Sequence, residues 1–265
     1  MDIFLYPFLG CVVLILIHAY FGIHVLERGI IFVDLSLAQF ISLGTTLSLV
    51  LGHNGSYRYV LPAIFAVLGA LILSLSRRIS KFINIEAFIG VLYIFSLGAS
   101  ILVLDRSPHG LEELKEILNG NILWLSGKDV LLASALYTVI GLFHFIFQKR
   151  FFELTYEGKY SFLWEFLFFL SFSCVLVSSV HLAGILQVFA FLVIPALIGR
   201  LFSRKTSRIL ITGWLIGLGV SIFGIIFSYK FDLPTGPVMV SSVSLMFFFL
   251  LIAKATSGYW RKKDK

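Results

Sequence analysis

Nine stretches of this chain run for the length of a helical bilayer crossing with scarcely a charge inside them. A hydrocarbon core about 30 Å thick takes about 20 apolar helical residues. Runs of that order fall near 4–24, 31–52, 59–76, 86–104, 129–147, 162–180, 182–202, 209–229 and 237–254. The 59–76 and 162–180 runs are short and the 182–202 run contains Pro195, so eight spans is the alternative to nine. Composition agrees: 59% of the 265 residues are hydrophobic and 13% are charged, about half the charge of an ordinary soluble domain. A soluble enzyme domain, a disordered chain and a disulfide scaffold are excluded. The expected fold is all-α, a polytopic membrane protein of 8–9 transmembrane helices forming one transmembrane domain over 1–265.

The net charge of +7 would suggest nucleic acid in a soluble protein. Here the cations sit in short clusters between apolar runs, so no nucleic-acid partner is expected. With nine spans and the N-terminus outside, one side holds sixteen Lys and Arg and the other five. That bias places the sixteen, and the C-terminus, in the cytoplasm. The N-terminal segment has no Lys or Arg ahead of its apolar run and reads as an uncleaved signal-anchor. Cys11 and Cys174 both lie in apolar runs and read as small core residues.

The longest stretch between spans, 105–128, opens at Ser107-Pro108. Leu111, Leu114, Ile117 and Leu118 recur in it at helical spacing. An external amphipathic helix ending at Asn119-Gly120 is expected, with Trp124 at the interface and Glu112, Glu113 and Glu116 facing solvent or a partner. Gly213, Gly217 and Ser221 recur every four residues, a stripe that lets helices approach closely.

The chain carries no P-loop, because Gly127-Lys128 is followed by Asp129 rather than Ser or Thr. It also lacks HExxH, GxSxG and any Cys/His cluster of zinc-site spacing. Energy for any pumping must come from a partner or an ion gradient. Ionisable groups are costly in lipid and mark candidate pathways. Asp34 and Gln39 lie in the second span, but five residues turn a helix by about 500°, so their side chains diverge by about 140°. His18 sits mid-span in the first run and His144 near the end of the fifth, as packing residues or ligands. His24 and His181 fall near span ends. His53 and His109 lie in loops where an arriving cation would meet them. Glu86 and Glu165 open spans, where a carboxylate favours the helix N-terminus.

Three segments resemble the permease subunits of metal-ion ABC transporters of the zinc, manganese and iron class. They are INIEAFIGVLY at 83–93, HLAGILQVFAFLVIPALIGRLF at 181–202 around Pro195, and FDLPTGPVMVSSVSLMFFFLL at 231–251. The last contains Asp232, Pro234, Gly236 and Pro237, a stiff turn at a span entrance. The resemblance implies an inner-membrane permease, a transport subunit that is not itself an enzyme, since it has no ATPase site.

 Two copies would form the pore, two cytoplasmic P-loop ATPase subunits would drive it, and an extracytoplasmic solute-binding protein would deliver a divalent zinc, manganese or iron ion. The surrounding partner is membrane lipid, and no intrinsic cofactor is implied. The family has an Asp-x-x-x-His pair on its second span. Here Leu35 and Gln39 take those places, with Asp34 displaced by one. Asp34, Gln39 and His18 are therefore the candidate path residues. The ATPase-facing loop falls at 148–161, with Gly158 on the family glycine, Leu154 and Arg150 replacing its Ala and Asp, and Glu153 and Glu157 as further candidates. Rival readings are an ABC permease for a chelated or non-metal solute and a gradient-driven secondary transporter.

Overall fold

The computed structural model describes residues 2–51, 57–107, 109–120 and 122–256. The expectations for His53, Pro108 and the basic residues after 256 lie outside them. The helices are α1 (Asp2–Arg28), α2 (Val33–Val50), α3 (Tyr57–Ser74), α4 (Ser76–Ile79), α5 (Ile85–Leu104), α6 (Gly110–Asn119), α7 (Gly127–Ile146), α8 (Gln148–Tyr156), α9 (Phe162–Phe202), α10 (Thr206–Phe231) and α11 (Thr235–Thr256). Among the described residues there is no strand. Eight of these helices are long and apolar enough to cross a membrane.

One of the eight supplies two crossings. Helix α9 has 41 residues, roughly 60 Å at 1.5 Å per residue, twice the bilayer core. It breaks at Gly184, whose φ of 76° and ψ of 163° are not helical. Arg28, at the end of α1, pairs with Glu165 near the start of α9. The neighbouring Glu27 pairs with Arg200 near its finish, at 3.0 Å. Both ends of α9 therefore lie at the same end of the bundle, and the helix doubles back at Gly184. The arms 162–183 and 185–202 match the two apolar runs of the sequence, and nine arms result.

Local chemistry sets the helix limits. The Ser126 hydroxyl accepts from the Asp129 amide at 3.3 Å, and the Asp129 carboxylate accepts from the Ser126 amide at 3.0 Å. This reciprocal cap starts α7. The Asn84 side chain accepts from the Ala87 amide and starts α5. Asp232 closes α10 in the left-handed region.

Packing sorts the helices into a centre and a rim. Helices α1, α2 and α9 are buried over most of their length, whereas α5, α7 and α11 turn most side chains outward. Val91, Ile94, Leu131, Phe145, Leu245 and Phe249 are exposed. Apolar groups on the outside of a helix bundle are matched by lipid tails, not water. Cys174 is exposed too, which corrects the expectation that both cysteines are core residues; Cys11 is fully buried. The small-residue stripe packs as expected. A Cβ on Gly213 would lie 3.4 Å from the Pro195 carbonyl oxygen, and one on Gly217 would strike Ile15.

Candidate translocation path and coupling surface

Helix α2 carries the candidate path. Asp34 sits in its first turn and Gln39 a turn and a half further on; each is 1% exposed. Neither oxygen of Asp34 and neither polar atom of the Gln39 amide has a hydrogen-bond partner. Burying polar groups unpaired is costly, so the three oxygens would gain from a cation and the Gln39 Nε2 from an acceptor. His18, on α1, bonds the Leu14 carbonyl through Nδ1 at 2.8 Å and leaves Nε2 unpartnered. No hydrogen bond joins the three residues, and among the described residues no group of three or more His, Cys, Asp and Glu is placed to hold a metal.

His24 and His144 are used in packing. His144 bonds the Tyr20 hydroxyl at 3.0 Å and the Ser171 hydroxyl at 2.8 Å, and its ring stacks on Phe151. His24 bonds the Thr155 hydroxyl at 2.7 Å. Phe151 and Thr155 both belong to α8, the short helix within 148–161. Phe151 and Leu154 bury its inner face, while Lys149, Arg150, Phe152 and Tyr156 remain exposed. Glu153 lies 3.7 Å from Arg150, and Glu157 pairs with Lys159 at 2.7 Å. That pairing raises the Lys159 pKa, through the hydrogen bond first and the charge second. Gly158 follows with a φ of 65°, a left-handed residue just after the helix end that favours glycine.

At the opposite end of the bundle, the Asp232-Leu-Pro-Thr-Gly-Pro237 segment forms the turn expected of it. Ser228 Oγ donates to the Leu233 carbonyl at 2.5 Å and lies 2.6 Å from the Thr235 hydroxyl. Asp232 and Pro234 are exposed, whereas Gly236 is buried. A Cβ on Gly236 would lie 2.5 Å from the Asn119 carbonyl oxygen. Gly120 and Gly184 also meet backbone to backbone, so three glycines bring α6, the α9 bend and the α11 entrance together. The helix α6 falls within the expected stretch, but Leu111 is 83% exposed. Ile117 and Leu118 pack against the core as expected, so the correction to the apolar stripe is Leu111.

One further feature joins residues far apart in the chain. Glu165 is buried and holds two arginines, Arg28 and Arg77, the latter at 2.9 Å. Sequence reasoning assigned Glu165 to its helix terminus alone. The available signal was an acid opening a span at the end of the bundle where Arg28, Arg77 and Arg200 lie.

The sequence profile of the ABC 3 transport family matches residues 1–254. The chain belongs to that family. It is a multi-pass membrane permease of the ABC type, and such a subunit has no ATPase site of its own. A manganese transport system membrane protein, MntC, of Listeria monocytogenes is 25% identical over 253 residues, covering 92% of this chain and 88% of that one. A probable iron transport system membrane protein of Haemophilus influenzae is 26% identical, covering 78% and 76%. A probable metal transport system membrane protein of Chlamydia muridarum is 27% identical, covering 64% of this chain and 60% of its own length. The fold resembles that of PsaBC from Streptococcus pneumoniae, solved in complex with Fab, with a TM-score of 0.77 and 19% identity over 94% and 91% of the two chains.

Proposed function

We propose that this ABC 3 permease is the membrane half-pore of an ATP-driven importer for a hard divalent cation, manganese or ferrous iron. The observation that carries the choice of ion is the donor set on α2. Asp34 and Gln39 offer unpartnered oxygens, and Gln39 stands where the resembling family has an imidazole. Carboxylate and carbonyl oxygens suit harder ions, while imidazole suits zinc. The manganese and iron relatives support the same reading.

A second copy of the chain completes the pore within the lipid of the plasma membrane. An extracytoplasmic binding protein delivers the ion at the α6 end, where residues 105–128 lie outside. P-loop ATPases bind the arginine-rich end, where α8, within the loop 148–161, offers its exposed face. The C-terminus is cytoplasmic, as the distribution of cations requires. ATP-driven closure of the ATPases moves α8, with Glu153, Glu157 and Gly158 at its C-terminal end, and opens the path to the loaded binding protein.

The test is uptake of radioactive manganese into proteoliposomes holding the chain with its co-purified ATPase and binding protein. ATP-dependent uptake that ferrous iron competes and zinc does not is the expected result. Uptake driven by a proton or sodium gradient without ATP overturns the reading, as does transport of a chelate but not the free ion.

A further inference from the structure

We propose that Glu165 is a positioning residue for transport, the joint that carries movement of α8 to the start of α2. The proposal rests on the reading that α8 meets the ATPase.

The contacts form an unbroken series. Helix α8 ends at Tyr156, and the carbonyls near a helix C-terminus lack intrahelical partners and carry its negative pole. Arg77 takes two carbonyls there: Nη2 donates to Leu154 at 2.9 Å and Nη1 to Gly158 at 3.0 Å. Its remaining nitrogen, Nε, lies 2.9 Å from Glu165 Oε1, an ion pair in which that oxygen accepts no hydrogen bond. A guanidinium is planar and rigid, so a tilt of the α8 terminus turns the whole fork and with it the carboxylate. The other oxygen of Glu165 holds Arg28. Arg28 is the last residue of α1; after the left-handed Gly29, the Ile31 amide donates to Glu86 at 2.5 Å. Helix α2 begins at Val33, and Asp34 is its second residue. Every step from the α8 terminus to the turn that aims Asp34 is a direct contact or a few residues of chain.

Stability alone does not explain this arrangement. Buried ion pairs often contribute no more than apolar residues of the same size. Here two buried or half-buried arginines share one acid, and Arg28 Nη1 has no partner. The cluster links α1, α4 and α9 with the end of α8, which is what a relay requires and a local staple does not.

The experiment uses the complete transporter in proteoliposomes and reads ions moved per ATP hydrolysed for Glu165→Gln, Glu165→Asp and Arg77→Lys. Couplings of this kind span about 5- to 150-fold. The expected result is a complex that hydrolyses ATP near the wild-type rate while Glu165→Gln moves at least about tenfold fewer ions per ATP. Glu165→Asp restores part of the ratio. Arg77→Lys keeps the charge but loses the fork, and is expected to uncouple as well. Equal falls in uptake and hydrolysis, or an unchanged ratio in Arg77→Lys, overturn the proposal. Hydrogen exchange on the same complexes separates this proposal from the reading of the function. If Glu165 is the joint, Glu165→Gln speeds exchange together at 29–33 and at 156–160, whatever ion is carried. Exchange that changes at only one of those segments, or at neither, overturns it. A wild-type complex without ATP-driven uptake refutes the proposed function instead.

Discussion

Replacing Gly184 by alanine tests the doubling-back of α9 at its one point of reversal. Two costs add. A φ of 76° with a ψ of 163° lies in a region open essentially to glycine, and holding another residue there costs about 1–3 kcal/mol. The new Cβ would also strike Gly120 N, the Asn119 carbonyl carbon and Leu118 O. These are backbone atoms, which move only if the end of α6 moves, and overpacking of this kind costs about 1–3 kcal/mol more. The expected loss is about 2–6 kcal/mol, or a fall of roughly 5–20 °C in the thermal unfolding midpoint for a chain of this size. The assay is thermal unfolding of the detergent-solubilised protein beside Gly98→Ala. Gly98 lies inside α5 with nothing within 4 Å of a Cβ, and alanine there is neutral or stabilising by about 0.5–1 kcal/mol. A Gly184→Ala protein as stable as Gly98→Ala would refute the bend and its packing against α6.

Asp34→Asn is expected to lower uptake of manganese by about tenfold or more without lowering the yield of folded protein, because it removes a buried carboxyl group that has no protein partner; uptake assays with quantified membrane protein check both. Gln39→His is expected to shift competition towards zinc, since imidazole suits that ion, and competition curves against manganese measure it. Ser126→Ala removes the reciprocal cap of α7 and is expected to cost about 1 kcal/mol, read as a lower unfolding midpoint with transport unchanged.

Hydropathy located the crossings because each arm needs its own length of apolar chain. It could not show whether the 162–202 stretch continues or reverses, since apolar residues run through Gly184 on both sides. The reversal depends on α6 and on the pairing of Glu27 and Arg28 with residues far along the chain. Glu165 and Arg28 are 137 residues apart, and no local pattern joins them. Asp34 and Gln39 were legible because lipid penalises polar groups wherever they fall. The partners that satisfy His24 and His144 were not, because they come from α8, α1 and α9. Leu111 misled for a related reason: helical spacing marks an apolar face, but the neighbour that covers it is set by the bundle, and Leu111 is left exposed.

The single-residue reversal in α9 also fixes the parity of the chain. Nine arms is an odd number, so the first and last described residues, Asp2 and Thr256, lie at opposite ends of the bundle, and opposite compartments are the expected outcome. A reporter fused before the first helix and one fused after the last would answer to different solvents, and a protease added on one side would reach only one of them.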